Sequence, residues 1–181
     1  MKKKRAPRRK SPAPAKHHYT DFMARAYTME LEATERYAQF ADQLDTHNNR
    51  EVAVMFRKLA QVEALHAKRI LEEMGWPSLP SLPVPCPWGE GEGPESAPLD
   101  SLHYLMQPFH ALELALECEQ RARKHFESIA AGKAPKKVRA AAAEMAGEEA
   151  EHVRLIQEWM ARVPQPSADW DHDPDPPRMS E

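Results

Sequence analysis

The sequence predicts an all-α protein, an antiparallel four-helix bundle of two helical hairpins joined by a long crossover. Three observations lead there. Seventeen prolines against six glycines gather at both ends and in the middle of the chain, framing two long proline-poor stretches. Within those stretches apolar residues recur at steps of three and four, the period of a helix with one buried face. No segment shows the strict alternation of a half-buried strand.

The first helix is expected from about Asp21 to Asp45, with Thr20 as N-cap. The second runs from about Asn49 to Met74 and stops at Gly75, ahead of Trp76-Pro77. The third covers roughly Leu102 to Ala131, with Pro108 as a kink or as the true start. The fourth follows Pro135 and extends to about Arg162, before Pro164. Short links between the first and second helices, and between the third and fourth, make two antiparallel hairpins. Between the hairpins lies Trp76 to Asp100, with seven prolines and a Gly-Glu-Gly-Glu-Gly run at 89–93. So long a connector is unusual in a compact domain, but two hairpins laid across each other require one.

At 181 residues the chain has room for one domain with a substantial core. The expected division is a basic tail over 1–19, the bundle over 20–163 with its Pro-rich crossover at 76–100, and an acidic Pro-rich tail over 164–181. No run of about 18 apolar residues is present, which excludes a membrane-spanning helix. Residues 1–16 lack the apolar stretch of a secretory signal, so the expected address is cytoplasmic. The two cysteines, Cys86 and Cys118, form no Cys-x-x-Cys pair, which argues against a disulfide framework, structural zinc or a rubredoxin-type iron site. The net charge of −3 conceals polarity, since residues 1–16 carry eight Lys/Arg and no acid, whereas Asp169–Asp175 is acidic. Such blocks are usually solvated tails, with nucleic-acid contact or partner docking as the alternatives for the basic arm.

The chemistry lies on the helix wheels, at about 100° per residue. In the second helix the buried stripe reads Val52, Phe56, Leu59, Glu63, His66, Ile70. The fourth repeats it with Val138, Ala142, Met145, Glu149, His152, Ile156, Met160. Both contain Glu-x-x-His, which points two polar side chains the same way, one turn apart. The first helix offers Met23, Tyr27, Glu30, Thr34, Tyr37, Ala41, Leu44, and the third Leu105, Leu112, Glu119, Phe126, Ala130. Each therefore has one acid on its core side. Glu32 and Glu117 sit about 160° away from Glu30 and Glu119 and belong with Glu35, Glu113 and Glu151 on the solvent side. The halves echo each other: Glu30 precedes Tyr37, and Glu119 precedes Phe126, by seven residues each.

Taken singly, a Glu-x-x-His in a helix is weak evidence, because histidines often sit satisfied in cores. Four inward carboxylates are different. Each unpaired one costs several kcal/mol to remove from water, so the set requires a cation or protonation. Arg123 is the only basic residue near the Glu119 face. Two divalent metals would balance four carboxylates, with two imidazoles completing the shell. One Glu from each of two helices and Glu-x-x-His from the other two is a known di-iron and di-manganese ligand set.

At these residues the chain resembles the rubrerythrin-like branch of the ferritin-like superfamily. The resemblance is carried by Glu30-x-x-Ala-x-x-Arg-Tyr37-x-x-Phe-Ala41 and Leu59-Ala-x-x-Glu63-x-x-His66-Ala in the first hairpin. In the second it is carried by Ala111-Leu-Glu-Leu-Ala-Leu-x-x-Glu119-x-x-Ala-x-x-x-Phe126 and Glu148-Glu149-Ala-Glu-His152. It spans about residues 20–162. It implies a ferritin-like fold with Glu30, Glu63, His66, Glu119, Glu149 and His152 as metal ligands, Glu63 and Glu149 bridging. Two departures matter. No Cys-x-x-Cys of an appended rubredoxin domain is present, so the electron donor is expected to be another molecule. The family's further helix-three carboxylate is absent, since Leu116 and Ala122 stand at those positions, which puts in doubt a ligand switch between redox states.

The resemblance implies two iron ions that react with hydrogen peroxide or O2, in a peroxide scavenger or a ferroxidase. The alternatives are a dimanganese catalase-like enzyme, an iron-binding or storage subunit without turnover, and a helical scaffold with a vestigial site. A homo-oligomer, in the first instance a dimer, is the expected assembly. Tyr27 and Tyr37 lie near the site as core packing, with a hydroxyl bonded to a ligand carboxylate, or as redox relays. Cys118 turns about 100° from Glu119 and reads as buried packing.

Overall fold

The computed structural model describes residues 14–80 and 93–173. The basic arm up to residue 13, Cys86, Trp88 and the acidic residues beyond 173 lie outside the described residues. Four helices follow in order: α1 (Pro14–Thr46), α2 (Arg50–Met74), α3 (Pro108–Ala131) and α4 (Lys136–Met160), with a single 3-10 turn at Leu99–Ser101 before α3. No strand occurs among the described residues. α1 packs along α2 and α3 along α4, with thinner contact between the hairpins through α2–α3 and α1–α4. The architecture is the expected all-α four-helix bundle.

Local chemistry sets most of the helix ends. At the end of α1, Asn48 takes a left-handed φ of 60°. Its N–H donates to the Asp45 carbonyl (3.0 Å), and the Asn49 N–H to that of Leu44 (2.8 Å). α2 ends the same way at Gly75, φ 63°, with Gly75 N–H to Glu72 and Trp76 N–H to Leu71. In both, the otherwise orphaned terminal carbonyls find donors. Pro108 is the true start of α3, not a kink. It occupies the first turn, where no N–H is needed, and the Gln107 N–H donates to His110 Nδ1 at 2.9 Å in a capping box.

Two expectations are corrected. α1 begins at Pro14 rather than near Asp21, so Thr20 is a helix-interior residue and not a cap. The early turns are fastened by Tyr19, whose hydroxyl donates to Glu73 (3.1 Å) and whose ring lies under the Lys137 ammonium (3.7 Å). The segment after α4, expected to be a solvated tail, instead places Trp170 on the core, 3.8 Å from the His110 ring between centroids. The Tyr104 hydroxyl donates to Asp173 beside it.

The core has two apolar ends. One gathers Tyr37, Phe40, Leu44, Phe56 and Leu112, with Phe56 between the rings of Tyr37 (5.8 Å) and Phe40 (5.3 Å). The other gathers Phe22, Met23, Met29, Ile70 and Phe126. Along every helix the switch from one cluster to the other falls at the inward glutamate.

Two glycines give opposite expectations. Gly75→Ala forces a left-handed φ on an L-residue and should lower stability by about 1–2 kcal/mol. Gly147→Ala, in the exposed interior of α4 with nothing near the added carbon, should raise it by up to about 1 kcal/mol. Urea denaturation of the two variants checks both signs.

Candidate metal centre

The level between the two apolar clusters is where the inward acids meet. Glu30 is 4% exposed, Glu63 1%, Glu119 1% and Glu149 2%. His66 and His152 are partly buried beside them. The acids assigned to the solvent side fall outside this layer: Glu35, Glu113, Glu117 and Glu151 are exposed and Glu32 is half-buried. Arg123 does not serve the site. It pairs with Glu127 on the surface at 2.8 Å.

All six residues singled out in the sequence come together, in two triads. Ligand atoms of Glu30, Glu63 and His66 lie within 4.8 Å of one another, and so do those of Glu119, Glu149 and His152. Donors facing each other across an ion at about 2.0–2.6 Å stand at most about 4–5 Å apart, so each triad has the span of one metal's shell. The His152 Nδ1 makes hydrogen bonds to Glu119 Oε2 (3.1 Å) and Glu149 Oε2 (3.2 Å). His66 Nδ1 only approaches Glu30 Oε2 (3.5 Å) and Glu63 Oε2 (3.3 Å). Those two oxygens are buried without a hydrogen-bond partner. The two imidazoles stack face to face, centroids 4.5 Å apart and planes 1° from parallel.

The electrostatics follow from burial. Loss of water raises the Glu30 carboxyl to about 7, with His66 opposing and Glu149 and Glu63 adding to the rise. Burial likewise pushes Glu119 well above its ordinary range, opposed by His152 and reinforced by Glu63 and Glu149. Burial alone would lower the histidines. The surrounding carboxylates outweigh it, raising His66 to about 10 through Glu30 and Glu63, and His152 to about 11 through Glu119 and Glu149. Two imidazolium rings face to face would repel, which opposes charging both. What holds for the cluster is that, without metal, it retains protons that the unfolded chain has lost.

One residue escaped the sequence reading. Glu95, on the crossover, is 1% exposed and sits in the same layer, with ligand atoms within 4.8 Å of those of Glu63 and Glu119. Burial and then the charges of Glu30, Glu63, Glu149 and Glu119 push its carboxyl well above the ordinary range. A wheel cannot find a residue that belongs to no helix, and nothing in the Gly- and Pro-rich text around it marks it as inward.

The nearby side chains are quiet. Tyr37 is fully buried against Phe56, and its hydroxyl makes no hydrogen bond to any of the carboxylates, contrary to the packing arrangement expected for it. Tyr27 is half-buried against the Phe22 cluster. Cys118 is buried, as expected, and desolvation raises its thiol to about 11. A partly open cavity of about 60 Å³ reaches Glu30 and His66 from outside, lined also by Met23, Arg69, Met145 and Glu148.

The fold and this buried set of carboxylates and imidazoles define the class: a ferritin-like four-helix bundle with a core compatible with a di-iron site. Residues 21–76, which carry Glu30, Glu63 and His66, match the model of the Rubrerythrin family. An uncharacterized conserved protein from Magnetospirillum magnetotacticum MS-1, known from its crystal structure, is 35% identical, with a TM-score of 0.63. That likeness covers 82% of this chain and 97% of the other. No curated protein matches. The chain belongs to the rubrerythrin family.

Two measurements probe this layer. Glu63→Ala or Glu149→Ala should lower metal affinity at least tenfold, the scale of losses even outside the coordinating shell. Glu32→Ala and Glu117→Ala should leave it unchanged, because their side chains stand outside the buried layer; equal losses across all four would contradict the arrangement. The second measurement is a pH series of melts on chelated protein. Folded Glu30 holds its proton up to about pH 7, against 4.5 for the free group, and the histidines hold theirs past 6.5. Folded-state pKa values above the unfolded ones stabilise most at low pH, and that gain is lost as pH rises through them. The melting temperature of metal-free protein should therefore fall from about pH 5 to 8. A flat or rising profile would contradict the raised pKa values.

Proposed function

We propose that the protein is a non-haem di-iron oxidoreductase that reacts with hydrogen peroxide or O2, of peroxidase or ferroxidase type. The observation that carries this reading is the pair of Glu/Glu/His triads side by side in the core, with carboxylate oxygens that no protein donor satisfies. Oxygen-rich sites with a few imidazoles suit iron and manganese rather than softer metals. Glu30, Glu63 and His66 would hold one ion, and Glu119, Glu149 and His152 the other. A bound iron pair supplies two electrons to the oxidant without a radical leaving the site.

The chain's own residues do the rest. The Phe56 and Phe126 clusters wall the layer off from water on both sides, limiting side reactions. The cavity beside Glu30 and His66 has room for a few water-sized molecules, enough for peroxide or O2. The Arg69–Glu148 ion pair spans α2 and α4 at its rim. Electrons return from a separate donor. No helix among the described residues is long and apolar enough to cross a membrane.

The test starts with elemental analysis of protein purified without added metal. About two ions per chain, chiefly iron, are expected. Anaerobic Fe(II)-loaded protein, mixed with peroxide or O2 in a stopped-flow spectrometer, should oxidise both irons in a single-turnover burst. Chiefly manganese would favour a catalase-like enzyme, many irons per chain a storage subunit. No uptake even after anaerobic Fe(II) addition would leave a vestigial scaffold.

A further inference from the structure

We propose that Glu95 is a seventh protein ligand of the two-metal site, reaching it from the crossover rather than from a helix. The inference rests on the two-metal reading above and adds to it a residue outside the four-helix ligand set. Glu95 is among the most deeply buried acids of the described residues, and both of its carboxylate oxygens lack a hydrogen-bond partner. Protonation does not resolve this. A neutral carboxyl still carries a donor and acceptors that need partners, and none stands at hydrogen-bond distance. A cation satisfies both oxygens at once.

The placement is specific. Glu63 belongs to one triad and Glu119 to the other, and Glu95 is grouped with both. It therefore stands on the seam between the two half-sites, beside Glu63 and Glu119. The backbone around it is held on both sides. Arg121 donates through Nε to the Pro94 carbonyl and through Nη2 to the Ser96 carbonyl, both at 3.0 Å. Arg36 donates to the Ala97 carbonyl at 2.5 Å. Ser96 and Ala97 are buried with Glu95. Two arginines from α1 and α3 thus clamp the loop that aims Glu95 inward, and none of these bonds goes to its carboxylate.

The consequence is electrostatic. Five carboxylates carry one more negative charge than two divalent ions balance, and one fewer than two trivalent ions do. Glu95 accordingly biases the site toward the oxidised pair. It also ties the order of this part of the crossover to occupancy of the core.

The experiment uses the full-length protein, with anaerobic Fe(II) titrations of wild type, Glu95→Gln and Glu95→Ala, and melts of each with and without metal. Both variants should lose about ten- to a hundredfold in affinity for at least one ion, a loss typical of disturbed metal shells. Their metal-free forms should melt no lower than wild type, because a buried unpartnered acid has been removed. Wild type that binds two ions, with variants binding both equally well, would overturn the proposal and leave the two-metal reading intact. Wild type that binds none would overturn both. A crystal structure of Mn(II)-loaded wild type decides independently of how the variants fold. A Glu95 oxygen about 2.0–2.6 Å from an ion supports ligation, and a carboxylate beyond contact with either ion overturns it.

Discussion

Burying a layer of acids in the middle of a helical bundle is the constraint on which the rest of this structure depends. An unpaired carboxylate is worth several kcal/mol more in water than in a protein interior. Glu30, Glu63, Glu119, Glu149 and Glu95 nevertheless meet at one level of the core. Cohesion has to come from elsewhere, and it comes from both ends. The Phe40–Phe56 cluster and the Phe22–Phe126 cluster hold the helices at a set spacing above and below, so the layer is held open by its neighbours. The spacing of the layer is therefore set by the apolar packing on either side of it.

The residues one turn from each acid complete that arrangement. Ala26 and Ala33 flank Glu30, Ala60 and Ala67 flank Glu63, and Ala115 and Ala122 flank Glu119, all buried. Ala146 stands one turn before Glu149. Small side chains there leave the interior volume to carboxylates, imidazoles and whatever they bind. Larger residues at the same positions would fill the layer.

The two hairpins are near-repeats, yet the site they build is not symmetric. His152 hydrogen-bonds both acids of its triad, whereas His66 stands slightly off from its own. The accessible cavity opens beside Glu30 and His66, on the looser triad. The crossover adds a second asymmetry, because it occurs once and delivers Glu95 to the seam. What looks like a connector between hairpins is, over residues 94–97, part of the wall of the site.

The sequence by itself determined what is periodic or local. Phase on the wheel separated Glu30 from Glu32 and Glu119 from Glu117, because 100° per residue is a property of the backbone and needs no partner. Gly75 and Pro108 marked helix ends through their own φ and their own missing or free N–H. Tertiary structure decided what depends on segments far apart in the chain. The early start of α1 rests on Tyr19 meeting Glu73 and Lys137, and the docking of Trp170 on His110, contacts with no local signature. Glu95 is the sharpest case. In sequence it is one more acid in a Gly- and Pro-rich stretch; only when Arg36 and Arg121 bind the carbonyls around it does its side chain acquire a direction, and that direction is into the core.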